Sequence, residues 1–264
     1  MSNPAGSFIW YELMTTDADA ASAFYGAVIG WSVAPRDPAA PLDYRMISRS
    51  DGGFNGGLLQ LDEEMQAKGA RPAWLPYLHV TDVDAAVAGI IADGGRTLMP
   101  KMTIPQGTFA MVADPQGVPF YVMTPVPPPG RPEAKSDVFS PSEPQHVRWN
   151  ELASPDLAEA KAFYCMNFDW EFNNSMPMGP LGDYCFIEHG GMVVGAIMQQ
   201  AQAGQPALWL PYIGVPSAMA AKAAIEANGG TVMTGPHEVP GGDWIVVAQD
   251  PQGAAFGVVG PKGE

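Results

Sequence analysis

Apolar and polar positions at the start of the chain follow the order of a strand and then a helix. Residues 8–14 are rich in residue types that favour strands, and they lead to Asp17, a preferred helix N-cap. Apolar residues then recur at helical spacing until Gly30, which is typical of a helix end. The residues of this helical face are Ala20, Ala21, Phe24, Tyr25 and Val28. Residues 44–50 and 57–61 are predicted to form strands on either side of a glycine-rich turn.

A second series with the same order follows directly. Residues 75–81 are predicted to form a strand that leads to Asp82, another N-cap. The next helix is predicted to end at Gly94-Gly95, and its apolar face comprises Val83, Val87, Ile90 and Ile91. Further strands are predicted near 96–99, 108–113 and 118–124. Each series therefore has the order of a βαβββ module.

The whole arrangement occurs twice in the sequence. Residues 10–31 align without a gap with residues 149–170, and the alignment pairs Trp-x-Glu-Leu, an Asp, Ala-Phe-Tyr and a final Trp. Later motifs continue the match after small gaps: Trp-Leu-Pro-Tyr at 74–77 and 209–212, Gly-Gly at 94–95 and 229–230, and Asp-Pro-Gln-Gly at 114–117 and 250–253. The sequence predicts two homologous domains, 1–124 and 145–264. Between them, residues 125–144 contain seven prolines and are predicted to form an extended linker.

Composition narrows the classes of function. The chain has 264 residues, 47% of them hydrophobic, and a formal net charge of −15. Such a charge repels phosphate groups and anionic membrane surfaces, so neither nucleic acid nor a membrane is an expected partner. Two cysteines cannot form a disulfide framework or a thiolate zinc site. The N-terminus lacks a basic segment followed by an apolar one, so we expect a soluble, cytoplasmic protein.

These motifs resemble those of the vicinal oxygen chelate superfamily, which includes glyoxalase I, bleomycin-resistance proteins and extradiol ring-cleaving dioxygenases. The resemblance rests on Thr16-Asp17 to Phe24-Tyr25, Gly30-Trp31, the Gly94-Gly95 helix end and the turn at 114–117, all of which have counterparts in the second half. Tandem glyoxalase-like proteins with a Trp-x-Glu-Leu-x-Thr start are the most similar group. The resemblance implies an α+β fold of four βαβββ modules, paired into two glyoxalase-like domains with cupped mixed sheets.

Metal-dependent members of this superfamily hold one divalent ion with His and Glu side chains on the first and last strands of each module. The corresponding positions here are Trp10, Leu75 and Tyr121 in domain one and Trp149, Leu210 and Gly257 in domain two, with less certain positions near Gln60 and near Met198 or Gln199. Indole and alkyl groups cannot ligate a metal, and a neutral phenol or amide is a poor ligand. We therefore expect no cofactor, and the ligand positions do not support a divalent metal.

Strand alternation predicts which other side chains share the inner face of each cup. In domain one these are Trp10, Glu12, Tyr77, His79 and Tyr121; in domain two they are Trp149, Glu151, Tyr212, Gly214 and Gly257. Glu12, His79 and Tyr121 are the candidate catalytic residues, because a carboxylate and an imidazole form the only pair suited to acid–base chemistry. Trp10, Tyr77, Trp149, Glu151 and Tyr212 are the candidate ligand-binding residues. A structural role explains Glu12 and Glu151 equally well, since both repeats contain them.

Two classes of function remain open, and a third is less favoured. The first is a glyoxalase- or bleomycin-resistance-like protein that binds a small, partly aromatic or apolar molecule without a metal. The second is a lyase, isomerase or dioxygenase-type enzyme of the same superfamily, and the third is an assembly protein. We expect a small-molecule partner and a monomer or homodimer. The site is predicted in domain one, where the imidazole and the second phenol are retained, with domain two as the alternative.

Overall fold

The computed structural model describes residues 3–201, 204 and 207–264. In the first repeat, the elements in chain order are β1 (Phe8–Thr15), α1 (Ala18–Ile29), β2 (Ser32–Val33), β3 (Tyr44–Ser48), β4 (Phe54–Gln60), α2 (Glu63–Ala67), β5 (Ala73–His79), α3 (Val83–Ala92), β6 (Arg96–Ile104), β7 (Gly107–Ala113) and β8 (Pro119–Pro125). Apart from the short helix α2, this is the order βαβββ twice over, as predicted.

The second repeat has the same order. Its elements are β9 (Val147–Ser154), α4 (Leu157–Phe168), β10 (Ser175–Pro177), a 3₁₀ turn (Gly179–Leu181), β11 (Asp183–His189), β12 (Met192–Gln199), β13 (Trp209–Gly214), α5 (Ala218–Ala227), β14 (Thr231–Glu238), β15 (Trp244–Gln249) and β16 (Ala255–Gly260). No helix in the described part of the chain is long and apolar enough to cross a membrane.

The strands form two mixed sheets with matching topology. One has the order β2-β3-β4-β1-β5-β8-β7-β6, and the other has the order β10-β11-β12-β9-β13-β16-β15-β14. Within each module the first and last strands pair in parallel, as β1 does with β4 and β5 with β8, whereas neighbouring later strands are antiparallel. The predicted α+β class with mixed sheets is confirmed.

The helices begin where the sequence predicts. The carboxylates of Asp17, Asp82 and Asp156 each accept a hydrogen bond from the backbone N–H three residues later, at 2.9–3.0 Å. Ser217 makes the same cap for α5 at 3.0 Å. At its other end, α1 stops at Gly30 with φ +82°, a conformation that glycine adopts at little cost.

The chain divides into two compact units, and each takes one module from each repeat. The first unit comprises Met1–Ile9, Leu75–Ser136 and Trp149–Trp209, and the second comprises Trp10–Trp74, Asp137–Arg148 and Leu210–Glu264. The consecutive domains 1–124 and 145–264 stay a prediction from the repeat.

Three repeated motifs meet in the core of each unit. In the second unit, the indole N–H of Trp74 donates to the Tyr25 hydroxyl at 2.9 Å, and this hydroxyl donates to Asp250 at 3.1 Å. In the first unit, Trp209, Tyr164 and Asp114 form the same series, with distances of 3.2 and 3.3 Å. The Tyr of each series therefore belongs to one repeat and the Asp to the other.

Burial determines the ionisation of these series. It raises the pKa of Tyr25 and of Tyr164 well above the ordinary range, and the neighbouring carboxylate adds to the effect. Burial also raises the pKa of Asp114 and Asp250. The hydrogen bonds that each carboxylate accepts from backbone N–H groups lower the pKa, but by less than burial raises it. These Tyr hydroxyls consequently remain protonated donors through the neutral pH range.

The proline-rich segment ends in a tightly held arm of the second unit. Between Pro125 and Val147 the chain, all of it described, forms only an isolated bridge between Phe139 and Val147. At Gln145 the backbone N–H donates to Gly214 at 2.7 Å, and the carbonyl accepts the indole N–H of Trp31 at 2.9 Å. Its side-chain amide accepts from Ser50 and donates to the carbonyls at the end of α1.

Candidate functional site

At the positions where the resemblance implies metal ligands, the side chains are buried, half-buried or hydrogen-bonded within the protein. Trp10 uses its only polar atom to donate to the Tyr44 hydroxyl at 2.8 Å, and Leu75 is buried. Gln60 caps α1, since its amide oxygen accepts the Ala18 N–H at 2.8 Å. Among the residues that the structure describes, no three His, Cys, Asp or Glu side chains are grouped to hold a metal ion. The donor set present at these positions does not fit the metal of the metal-dependent members.

In the second unit, Trp10 and Glu12 are linked through Tyr44. The Tyr44 hydroxyl accepts the Trp10 N–H, and its pKa is raised by burial and by the negative charge of Glu12. The ring lies directly on β4, because a methyl group added at Gly57 would overlap it. Glu12 is only 3% exposed.

In the first unit, Trp149 and Glu151 are both hydrogen-bonded to Tyr184. The indole N–H of Trp149 donates to the Tyr184 hydroxyl at 2.8 Å, and this hydroxyl donates to Glu151 at 2.6 Å. Burial and the Glu151 carboxylate raise the pKa of Tyr184 well above its ordinary value. Phe186 is perpendicular to both aromatic rings, at 82°. Unlike Glu12, the four side chains of this group are half-buried rather than buried.

The sequence did not identify Tyr44 or Tyr184 as site residues. Both lie at the same place in their repeats, near the start of the strand that pairs with the last strand of the module. The shared Tyr was the available signal, but it lies outside the gap-free part of the repeat alignment. The structural role expected for the glutamates takes a specific form at Glu151, because its carboxylate accepts the Tyr184 hydroxyl.

The remaining candidates of domain one lie in the first unit. Tyr77 and Tyr121 are paired on adjacent parallel strands and stack with ring centroids 4.2 Å apart, and both are buried. The ring Nδ1 of His79 lies 3.1 Å from the carbonyl oxygen of Pro4, and the backbone of His79 pairs with Gly6 and Ser7. His79 therefore holds the N-terminal arm, and only 5% of it is exposed.

The glycines of domain two do not open space in the second unit. At Gly257 an added methyl group would overlap the ring of Tyr212, which lies over this position and is 4% exposed. At Gly214 an added methyl group would lie 2.6 Å from the carbonyl oxygen of Glu143. Tyr212 and the Glu143–Arg148 arm thus occupy the space that the two missing side chains would need.

Two further depressions lie at equivalent places in the repeats, beside the first turns of α1 and α4. Their volumes are about 400 and 450 Å³. Gln60 lines one and Gln199 the other, and each donates and accepts at the backbone of the helix start. None of the candidate catalytic or ligand-binding residues lines either depression, so they are not the predicted site.

Comparison with known proteins agrees with this fold. Residues 10–123 match the model of the "Glyoxalase-like domain", and residues 144–258 match that of the "Glyoxalase/Bleomycin resistance protein/Dioxygenase superfamily". Among solved structures, the Mn(II)-bound glyoxalase from Novosphingobium aromaticivorans has a TM-score of 0.63 and 17% identity, with 99% of this chain and 83% of that chain covered. A variant of homoprotocatechuate 2,3-dioxygenase from B. fuscum has a TM-score of 0.66 and 17% identity, with 97% and 72% covered.

Curated relatives extend the similarity to sequence. A Mycobacterium tuberculosis protein with the name "Putative glyoxylase CFP32" is 31% identical over 261 residues, which cover 96% of this chain and 94% of the relative. "Anthracycline biosynthesis protein DnrV" from Streptomyces peucetius is 32% identical over 133 residues, or 46% of this chain and 47% of the relative. The fold defines a tandem glyoxalase-like protein of the vicinal oxygen chelate class. The chain belongs to the glyoxalase/bleomycin resistance protein/dioxygenase superfamily.

Proposed function

We propose that the protein binds a small, partly aromatic or apolar molecule on the inner face of a sheet without the metal used by other members of the family. The observation that carries this proposal is the half-buried group of Trp149, Tyr184 and Phe186 beside the Glu151 carboxylate. Aromatic surface with a few fixed polar groups is typical of small-molecule sites. The unsuitable donor set at the family's ligand positions supports binding without a metal.

Exposure favours the Trp149 group over the buried candidates of domain one. In the equivalent Trp10 group of domain one Tyr44 is 36% exposed, but its carboxylate, Glu12, is buried, whereas Glu151 is half-buried. Tyr77, His79 and Tyr121 are buried by their own neighbours, so a ligand would have to displace them. Trp149 and Tyr184 keep part of their surface accessible. The relative named for anthracycline biosynthesis supports an aromatic ligand, because anthracyclines contain flat fused rings.

Calorimetric titration of the chelator-treated, full-length protein with an anthracycline tests this proposal. We expect saturable binding that the chelator does not alter, and the Trp149→Leu substitution should weaken it at least tenfold, or about 1.4 kcal/mol. The matched substitution in the first repeat is Trp10→Leu. A loss of affinity in Trp10→Leu but not in Trp149→Leu would place the site in domain one. Binding that needs added Mn(II), or a stoichiometric ion found by elemental analysis, would contradict the metal-free proposal.

An enzymatic function is the alternative proposal. It is favoured by the mycobacterial relative, which is named as a glyoxylase and matches nearly the whole chain. Glu12, His79 and Tyr121 are its candidate catalytic residues. This alternative requires the His79 ring to transfer a proton while its Nδ1 is also hydrogen-bonded to the Pro4 carbonyl oxygen. Screening for glyoxalase activity, with Glu12→Gln as the decisive variant, separates it from binding alone: turnover that the variant abolishes supports an enzyme, whereas turnover that the variant retains excludes a catalytic Glu12.

A further inference from the structure

Trp149 and Tyr184 together form one flat aromatic surface. Their ring planes are parallel to within 6°, and their centroids are 6.4 Å apart. Because an indole N–H lies in the plane of its ring, the 2.8 Å hydrogen bond places the Tyr184 hydroxyl at the edge of the indole. The two rings therefore lie side by side rather than on top of each other. We call this pair the platform.

A wall and a small floor residue complete the platform. Phe186 stands nearly perpendicular to both rings, with centroids 6.0 Å from Trp149 and 5.9 Å from Tyr184. Strand β12 places Ala196 between Glu151 and Phe186 in the register of the sheet. A small side chain at this central position leaves room for the aromatic rings above the sheet.

The first repeat lacks two of these features. At the positions of Ala196 and Phe186 it has Gly57 and Met46, which are paired with each other. Without a methyl group at Gly57, the Tyr44 ring lies on the backbone of the strand. The flexible Met46 replaces the rigid upright ring. The platform with its wall is therefore a feature of the second repeat.

Charge at the edge of the platform selects among aromatic ligands. Glu151 accepts the Tyr184 hydroxyl and so places a carboxylate, with about four acceptor positions on its two oxygens, at the edge of the platform. A cation above an indole gains cation–π energy, most strongly for Trp. The net charge of −15 attracts cations to the protein and repels anions.

We propose that the platform binds a flat aromatic molecule that carries a protonated amine, with its ring on Trp149 and Tyr184 and its ammonium group donating to Glu151. This inference rests on the proposed function, because it names the chemical class of ligand for that same site. Stacking provides affinity for the ring, and the carboxylate discriminates against aromatic anions.

Three probes separate the contributions of ring and charge. Tryptamine and 3-indolepropionate share a ring and differ in the sign of their charge, while 2-cyclohexylethylamine keeps the amine and loses the flat ring. The seven tryptophans of the full-length protein can be ¹⁵N-labelled, and each indole N–H gives one resonance. The Trp149 resonance is identified by its disappearance in Trp149→Leu. We expect tryptamine to shift it saturably, with an affinity at least tenfold above that of either other probe.

Substitutions then test the role of the carboxylate. Glu151→Gln keeps an oxygen that can accept the Tyr184 hydroxyl, so the platform should persist while tryptamine affinity falls about tenfold and 3-indolepropionate affinity changes less than threefold. Glu226→Gln removes the same charge from an exposed position on α5 and is the control for net charge. Equal affinity for tryptamine and 3-indolepropionate, or an equal loss in both variants, would overturn the ammonium inference and leave the proposed function intact. No shift of the Trp149 resonance with any probe would overturn the ammonium inference, and only together with an absence of anthracycline binding in the calorimetric titration would it overturn both proposals.

Discussion

The two compact units reach the same backbone arrangement with different residues, and the arm that precedes each repeat shows this best. In the first unit the arm turns at Gly6, whose N–H donates to His79 at 2.8 Å and whose carbonyl accepts the Trp170 indole at 2.9 Å. In the second unit Gln145 makes the equivalent bonds to Gly214 and Trp31. Both residues have positive φ, +85° and +63°.

The difference lies in what surrounds each turn. The Gln145 side chain forms hydrogen bonds with Ser50, Ile29 and Gly30, which offset the conformational cost of a positive φ in a non-glycine residue. At Gly6 there is no space for a side chain, because the carbonyl of Phe168 and the ring of His189 lie against it. The same turn is thus maintained by close packing in one unit and by side-chain hydrogen bonds in the other.

The largest expected effect comes from Gly6→Ala. The new methyl group would overlap the Phe168 carbonyl at a φ that disfavours alanine, so we expect a loss of about 3 kcal/mol in the free energy of unfolding. Urea denaturation measures it. In the other unit, Gln145→Gly removes the side-chain bonds but relieves the backbone strain, and should cost only about 1 kcal/mol. Equal costs at the two positions would contradict the distinction between packing and hydrogen bonding.

A smaller effect of opposite sign is expected at Asn55. Its amide is fully buried, and neither its nitrogen nor its oxygen has a hydrogen-bond partner in the structure. The corresponding residue of the second repeat is Val194, because Gly56 and Gly195 follow at equivalent positions in the sheets. Asn55→Val should raise the free energy of unfolding by about 1 kcal/mol, because it removes two unsatisfied buried polar atoms.

The reverse exchange is the control for that substitution. Val194→Asn places an amide where the first unit has an apolar side chain, and it should destabilise the protein in thermal unfolding. A lower melting temperature for Asn55→Val would show that the Asn55 amide has a partner, such as a buried water molecule.

The smallest effect concerns alkaline pH and tests whether the cores of the two units are equivalent. The pKa of Tyr25 and that of Tyr164 are raised on folding, so above pH 10 the unfolded chain loses these protons first. Folding stability should therefore fall as the pH rises through 10. Tyr25→Phe and Tyr164→Phe should each reduce this slope by the same amount in denaturation curves recorded between pH 8 and 11. Unequal changes would show that the two cores shift the pKa of their Tyr by different amounts and are therefore not equivalent.

Local patterns in the sequence were sufficient to predict the modules, because helix caps and glycine helix ends depend on neighbouring residues. Asp17, Asp82 and Gly30 all act as predicted. The strand predicted over 57–61 begins earlier in the structure, because β4 starts at Phe54 and includes Gly56 and Gly57. Glycine suits these two positions, since the backbone of Tyr11 and the ring of Tyr44 approach them closely. Such approaches come from other strands and leave no local pattern.

The candidate site was predictable only in part for the same reason. Alternation along β9 predicts that Trp149 and Glu151 share a face, but the Tyr184 hydroxyl to which both are hydrogen-bonded comes from a strand two places away in the sheet. The pairing of Tyr25 with Asp250, more than two hundred residues apart, is likewise beyond any pattern of periodicity. Similarly, nothing near Gly214 and Gly257 in the sequence indicates that Glu143 and Tyr212 lie against them.

The exchange of partners between repeats has a consequence for how the gene could change. A single repeat with these motifs would contain a Tyr without its Asp and an Asp without its Tyr, so it would need a second copy of itself to complete either core. Joining both copies in one polypeptide fixes their ratio at one to one. Each copy then packs against a different partner, so its surface no longer has to be complementary to an identical copy. Substitutions can then accumulate on one side only, as at Gly6 and Gln145 or at Met46 and Phe186. Both halves must keep the residues of the shared cores, whereas the positions around them can differ from one half to the other.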